Sequence, residues 1–140
     1  MAYEITLENK PDAEEVRVLL EGLHIHNTLH SGGGEAEYLA IFLRDAERQV
    51  VGGMFGWTAY GYLRIDVLWV REELRGQGFG QQLLAAAEAE GKRRGCQFAM
   101  LDSFSFQAPE FYQQRGYREF AVLDQVAGNQ AWHFLKKDLL

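Results

Sequence analysis

The segment Arg75-Gly76-Gln77-Gly78-Phe79-Gly80 restricts the fold more than any other part of the 140-residue chain. It joins an almost wholly apolar stretch, Tyr62 to Val70, to a stretch of helical period from Gly78. It therefore reads as the turn between a buried strand and a helix. Three glycines in six residues remove the side chains that would keep an anion away from backbone N–H groups. The helix start beyond adds unpaired donors and the positive end of the dipole. Arg75 adds a fork suited to phosphate oxygens. The pattern points to a diphosphate site; the alternative is a tight turn that needs glycine for its backbone angles alone. A Walker loop would end in Gly-Lys-Ser/Thr, and none is present. A dinucleotide fingerprint wants G-x-G-x-x-G and an acid about 20 residues on. Asp102 has the distance, but the glycines run G-x-G-x-G and only one crossover follows.

Around that turn the chain reads as β-α-β-β-β-α-β-α-β-β. Tyr3 to Leu7 alternates as a short strand. Asp12 caps a helix with Glu15 in capping-box spacing, and Val16, Leu19, Leu20 and Leu23 form its apolar stripe. That helix fades around His24 to His30 and stops at the flexible loop Ser31 to Gly34. Strands follow at Tyr38 to Leu43, Gln49 to Tyr60 and Tyr62 to Val70, with Gly52, Gly53 and Gly56 marking bends in the second. The second helix covers Gly78 to Arg94; Lys92, Arg93 and Arg94 favour its dipole and Gly95 closes it. Gln97 to Phe104 is a strand, and Ala108 to Arg115 a short helix with Pro109 in its first turn and Gly116 after it. Tyr117 to Leu123 and Ala131 to Lys137 make a hairpin. A meander feeding one strand-helix-strand crossover predicts a mixed sheet with helices on its faces.

Charge narrows the function. The formal net charge is −6, which argues against nucleic acid and against an anionic membrane surface. Residues 1 to 50 hold ten acids and four bases, whereas residues 51 to 140 hold ten of each, so the acidic excess lies in the first third. A lone cysteine, Cys96, excludes an internal disulfide framework. No apolar run reaches the ~20 residues of a membrane span, and the N-terminus lacks a secretory signal pattern, so a cytoplasmic location is expected. Without repeats or a linker, residues 1–140 are expected to form a single domain. His26 and His30 stand one helical turn apart, but no fourth ligand accompanies them and His24, so no metal is expected.

Arg75 to Gly80 matches R/Q-x-x-G-x-G/A, the coenzyme A pyrophosphate signature of the GNAT superfamily of N-acetyltransferases. The passage Leu101 to Tyr117, LDSFSFQAPEFYQQRGY, is similar to that of a group of small bacterial members. The element order agrees from Tyr3 to Lys137, so the chain resembles this family over nearly its whole length. The resemblance implies an α/β (α+β) acyl-CoA N-acyltransferase fold, a mixed and mostly antiparallel central sheet with helices on both faces, and acetyl-CoA as co-substrate.

The resemblance also assigns residues. In the family, the strand before the loop splays from its parallel neighbour at a bulge, and the pantetheine arm adds as an extra strand. That implies contacts from Leu68, Trp69 and Val70, with the Leu68 N–H facing the thioester oxyanion. Backbone N–H groups at Gly76, Gln77, Gly78, Phe79, Gly80 and Gln81 would hold the pyrophosphate together with Arg75. Tyr112 matches the tyrosine that gives a proton to the departing thiolate; a packed core aromatic is the alternative. Ser105 stands where the family often has an asparagine that contacts coenzyme A. Arg64 stands where some members carry a carboxylate base, and an arginine cannot abstract a proton. Asp66, expected on the same face as Arg64 and Leu68, becomes the candidate base, with a structural ion pair as its alternative.

The implied activity is acetyl transfer from acetyl-CoA to a primary amine, by direct attack through a tetrahedral intermediate. A non-catalytic acyl-CoA-binding module is the rival, favoured by Arg64. Acidity in the first third, which the family places beside the acceptor pocket, predicts a cationic small-molecule or peptide amine as partner. Homodimers are common in the family, and the C-terminal hairpin is the interface expected here; nothing in the residues points to it independently.

Overall fold

The computed structural model describes residues 2–32 and 35–140, and the chain divides into two units, 1–35 and 36–140. In the first unit, helix α1 (Ala13–Ser31) starts at Asp12, whose carboxylate accepts from the Glu14 N–H at 2.8 Å. It ends at Gly32, whose φ of 79° suits glycine. Two expectations change here. Among the described residues, Tyr3 to Leu7 is in no strand, since alternation without ladder hydrogen bonds does not make one. The helix does not fade at His24 but continues two turns further, because nothing between Pro11 and Gly32 breaks it. Of the Ser31 to Gly34 loop, Gly33 and Gly34 lie outside the described residues.

The second unit is built on a six-stranded sheet. Its strands are β1 (Glu37–Arg44), β2 (Val50–Ala59), β3 (Tyr62–Val70), β4 (Phe98–Phe104), β5 (Arg118–Val126) and β6 (Gln130–Asp138), in spatial order β1-β2-β3-β4-β6-β5. All neighbours are antiparallel except β3 and β4. That parallel pair is joined by helix α2 (Phe79–Arg93), as a parallel connection requires. Helix α2 and the short helix α3 (Pro109–Gln113) pack on one sheet face. There Leu63, Ile65, Leu84, Ala87, Leu101, Tyr117 and Leu135 make the core, with Phe111 and Tyr112 against it. Gly91 lets α2 close on the sheet, since a Cβ there would meet Leu63 and Leu139 side chains at 3.2 and 3.3 Å.

Two irregularities prepare the site. Strands β3 and β4 pair only at Tyr62, Leu63 and Arg64, opposite Phe98, Ala99 and Met100; beyond Arg64 they run on without pairing. Next to that point β2 and β3 slip register, with Gly56 opposite Ile65 and Phe55 opposite Val67, so Asp66 is an extra residue in β3. The extra residue reverses the alternation. Leu68, packed against the core, therefore shares the face of Leu63 and Ile65 rather than that of Arg64, which corrects the single face expected for Arg64, Asp66 and Leu68.

Gly56 holds this geometry, since a Cβ there would overlap the Arg64 carbonyl oxygen. Gly56→Ala is expected to lose about 1–3 kcal/mol of stability in urea unfolding, as overpacked sites do. Gly22→Ala, where a Cβ on α1 meets nothing within 4 Å, is the control expected to hold or gain stability. An unchanged midpoint for Gly56→Ala would contradict this reading of the bulge.

Candidate active site

The loop after β3 becomes a groove. Val70 leads into a 3-10 turn, Glu72–Leu74, and Gly76 and Gly78 then take φ of 77° and 90°, angles that side-chain-bearing residues avoid. Gly78 caps α2. Arg75 is tied back by its Nε–H to the Val70 carbonyl at 2.8 Å. Together with Gly80, Gln81, Phe111 and Arg115 these residues line a cavity of about 490 Å³ at the α2 N-terminus. Gly80 admits Phe111, whose ring would stand 3.4 Å from a Cβ at that position.

The splay between β3 and β4 opens beside this groove into a second cavity of about 620 Å³. Asp66, Leu68, Trp69, Val70 and Arg75 line one side; Asp102, Ser103, Gln107 and Tyr112 line the other. The Arg71 N–H donates to Val51 of β2 at 2.9 Å. Backbone direction alternates along a strand, so the Trp69 N–H also faces β2, while the Leu68 and Val70 N–H groups face the opening. Arg75 binds the Val70 carbonyl from that same side.

The two sheet faces bring different groups to the opening. On the helix face stands Tyr112, packed edge-on against Phe111 and Tyr117 at ring separations of 5.1 and 5.9 Å. Burial, and secondarily the negative charge of Asp102, push its phenol up to about 12, so it stays protonated at neutral pH. On the other face Arg64, the last paired residue, bonds Asp102 and lies 3.5 Å from Asp66. The Trp132 indole N–H donates to the second Asp102 oxygen at 2.8 Å. A guanidinium thus bridges carboxylates from both splayed strands at the point where their hydrogen bonds stop. Phe104 and Phe106 stack outward from Trp132.

A GNAT acetyltransferase domain model matches residues 37–119. The acetyltransferase Atu2258 of Agrobacterium fabrum is 33% identical over 131 residues, covering 94% of this chain and 96% of that protein. The chain belongs to the GNAT acetyltransferases. The blasticidin-S acetyltransferase of Streptomyces morookaense is 35% identical over 104 residues, 74% of this chain and 76% of its own. A crystal structure from Agrobacterium tumefaciens, described as that of an acetyltransferase, superposes with a TM-score of 0.92 at 32% identity, over 97% of this chain and 99% of that one. The GNAT acetyltransferases use acetyl-CoA as acetyl donor.

The residues fit that donor: a run of backbone N–H groups freed by two left-handed glycines, a buried arginine nitrogen without an acceptor in the same groove, and an unpaired strand edge leading away from it. Gly76, Gly78, Phe79, Gly80 and Gln81 share the groove with Arg75, with Gln77 in the same loop, and Leu68, Trp69 and Val70 line the opening with Asp66 and Tyr112. The Ser105 hydroxyl turns instead to β6, accepting from the Ala131 N–H at 3.0 Å and lying 3.1 Å from His133 Nε2, which in turn leans on Glu119. Arg115 in the groove and Ser103 and Gln107 at the opening had no role assigned from the sequence, and Asp102 was weighed there only as the acid of a dinucleotide fingerprint, not as a partner of Arg64 and Trp132. Arg115 had a local signal, lying one helical turn after Phe111. The cluster of Asp102 and Trp132 had none, since Asp102 meets Arg64, and Trp132 meets Asp102, only through the sheet.

Asp102→Asn is expected to lower the Tyr112 pKa from about 12 while leaving it above 10, because burial is the larger cause and remains. The tyrosinate absorbance that Tyr112→Phe removes reports it. No shift, or an upward one, would contradict the coupling.

Proposed function

We propose that this acetyltransferase moves the acetyl group of acetyl-CoA to a primary amine of a cationic small molecule or peptide, by direct attack and without an acyl-enzyme. The observation that carries the reading is the opening between β3 and β4, with inward backbone N–H groups on one wall and the Tyr112 phenol on the other. The Leu68 N–H supplies a fixed donor for the oxygen that becomes negative as the amine nitrogen bonds to the thioester carbon. Tyr112 donates to the sulfur as the C–S bond breaks and passes it a proton. The proton lost by the amine goes to Asp66 or to water. Asp66 is the extra residue of β3 and is exposed, so solvent reaches it.

The acceptor's approach follows from the packing. Helices α2 and α3 cover one face of the sheet at the opening, and the donor groove lies beside them, which leaves the amine the face of Arg64, Asp66, Asp102 and Trp132. Carboxylates on that face and the acidic excess of the chain both favour a cation. Cys96 is buried in the core, and burial pushes its thiol up, so it is a poor acyl carrier.

Free thiol released from acetyl-CoA over a panel of amines tests the proposal. Cationic amines are expected to react, with kcat/KM falling as salt rises, and neutral ones to show no such fall. Tyr112→Phe, which keeps the ring packing, is expected to lower kcat about 10²-fold with little change in KM. Binding of acetyl-CoA without thiol release on a wide panel would instead mark a non-catalytic binding module, and an unchanged kcat in Tyr112→Phe would remove the phenol from the reaction.

A further inference from the structure

Arg115 stands half-buried in the groove at the α2 N-terminus with most of its donors unused. Its guanidinium lies over the Phe111 ring, 3.9 Å from the centroid. Nη1 donates to the Phe111 carbonyl at 2.9 Å, and Nη2 reaches Gln81 Oε1 only at 3.3 Å. Nε is buried with no acceptor. The other inward arginines are neutralised: Arg64 by Asp102 and Asp66, Arg94 by Glu90 at 2.8 Å. The hydrogen bonds of Arg115 go to a carbonyl and an amide oxygen, and none goes to a carboxylate among the described residues. A guanidinium taken partly out of water without an anion is costly, and one fixed by stacking loses little freedom when an anion arrives.

We propose that Arg115 clamps a phosphate of coenzyme A as a second cation beside Arg75. The inference rests on reading the Arg75 to Gly80 loop as the pyrophosphate site. The pyrophosphate and the 3′-phosphate offer the same chemistry to a guanidinium fork. Stacking on Phe111 ties the clamp to α3, the helix that carries Tyr112, so phosphate capture and placement of the phenol share one element.

Calorimetric titration of coenzyme A, dephospho-coenzyme A and pantetheine into the parent protein, Arg115→Gln and Arg115→Lys tests this. Arg115→Gln is expected to weaken coenzyme A about 10- to 100-fold, the range of a charged hydrogen bond, and to leave pantetheine unchanged. Arg115→Lys keeps the charge without the fork, and an intermediate loss is expected; it serves alone if Arg115→Gln does not fold. Equal loss for coenzyme A and dephospho-coenzyme A assigns the clamp to the pyrophosphate, and loss for coenzyme A alone assigns it to the 3′-phosphate. Parent-like binding of coenzyme A by the variants would overturn the proposal. So would equal weakening of all three ligands, which marks a packing role against Phe111. If the parent protein itself bound pantetheine as tightly as coenzyme A, the loop reading would fail instead.

Discussion

Strands β3 and β4 stop pairing after Arg64, and the rest of the site depends on how that break is held open. Two parallel strands left to themselves would continue their ladder, because unpaired backbone groups in a protein interior are costly. Here the extra residue Asp66 turns β3 away, and Gly56 on β2 allows the Arg64 carbonyl to come close. Arg64 then spans the break, hydrogen-bonded to Asp102 on one arm and ion-paired with Asp66 on the other. The same arginine that fills the place of a family base therefore has a structural occupation of its own. The Leu68 and Val70 N–H groups are left facing the opening.

The loop and the splay are two halves of one arrangement. Arg75 belongs to both, lining the groove at α2 and the opening at β3 while its Nε–H holds the Val70 carbonyl. A ligand with an anionic end and an extendable amide arm matches groove and strand edge in that order. Phe111 and Tyr112, adjacent on α3, divide the labour: the first packs against Gly80 and beneath Arg115, and the second faces the opening.

Local signals made much of this legible. The bounds of β3 follow from its apolar run, and Gly78 and Gly95 bracket α2 with φ of 90° and 84°. The loop motif was legible for the same reason, and in the structure Gly76, Gly78 and Gly80 line the groove at the start of α2. What the residues hid was non-local. One extra residue in β3 shows only in its register against β2, and it moved Leu68 to the opposite face from Arg64. Asp102 meets Arg64 across 38 positions of sequence. Tyr3 to Leu7 has the alternation of a strand yet is in no strand among the described residues, so its pattern alone did not decide its structure.

Residue-resolved amide hydrogen exchange with and without acetyl-CoA tests the arrangement most directly. Slowed exchange at Leu68 and Val70 together with Gly76 to Gln81, and no change at Trp69 beyond its existing bond to β2, is the result that follows from a ligand paired to the open edge of β3. Protection confined to the loop, or located on β5 and β6, would contradict it.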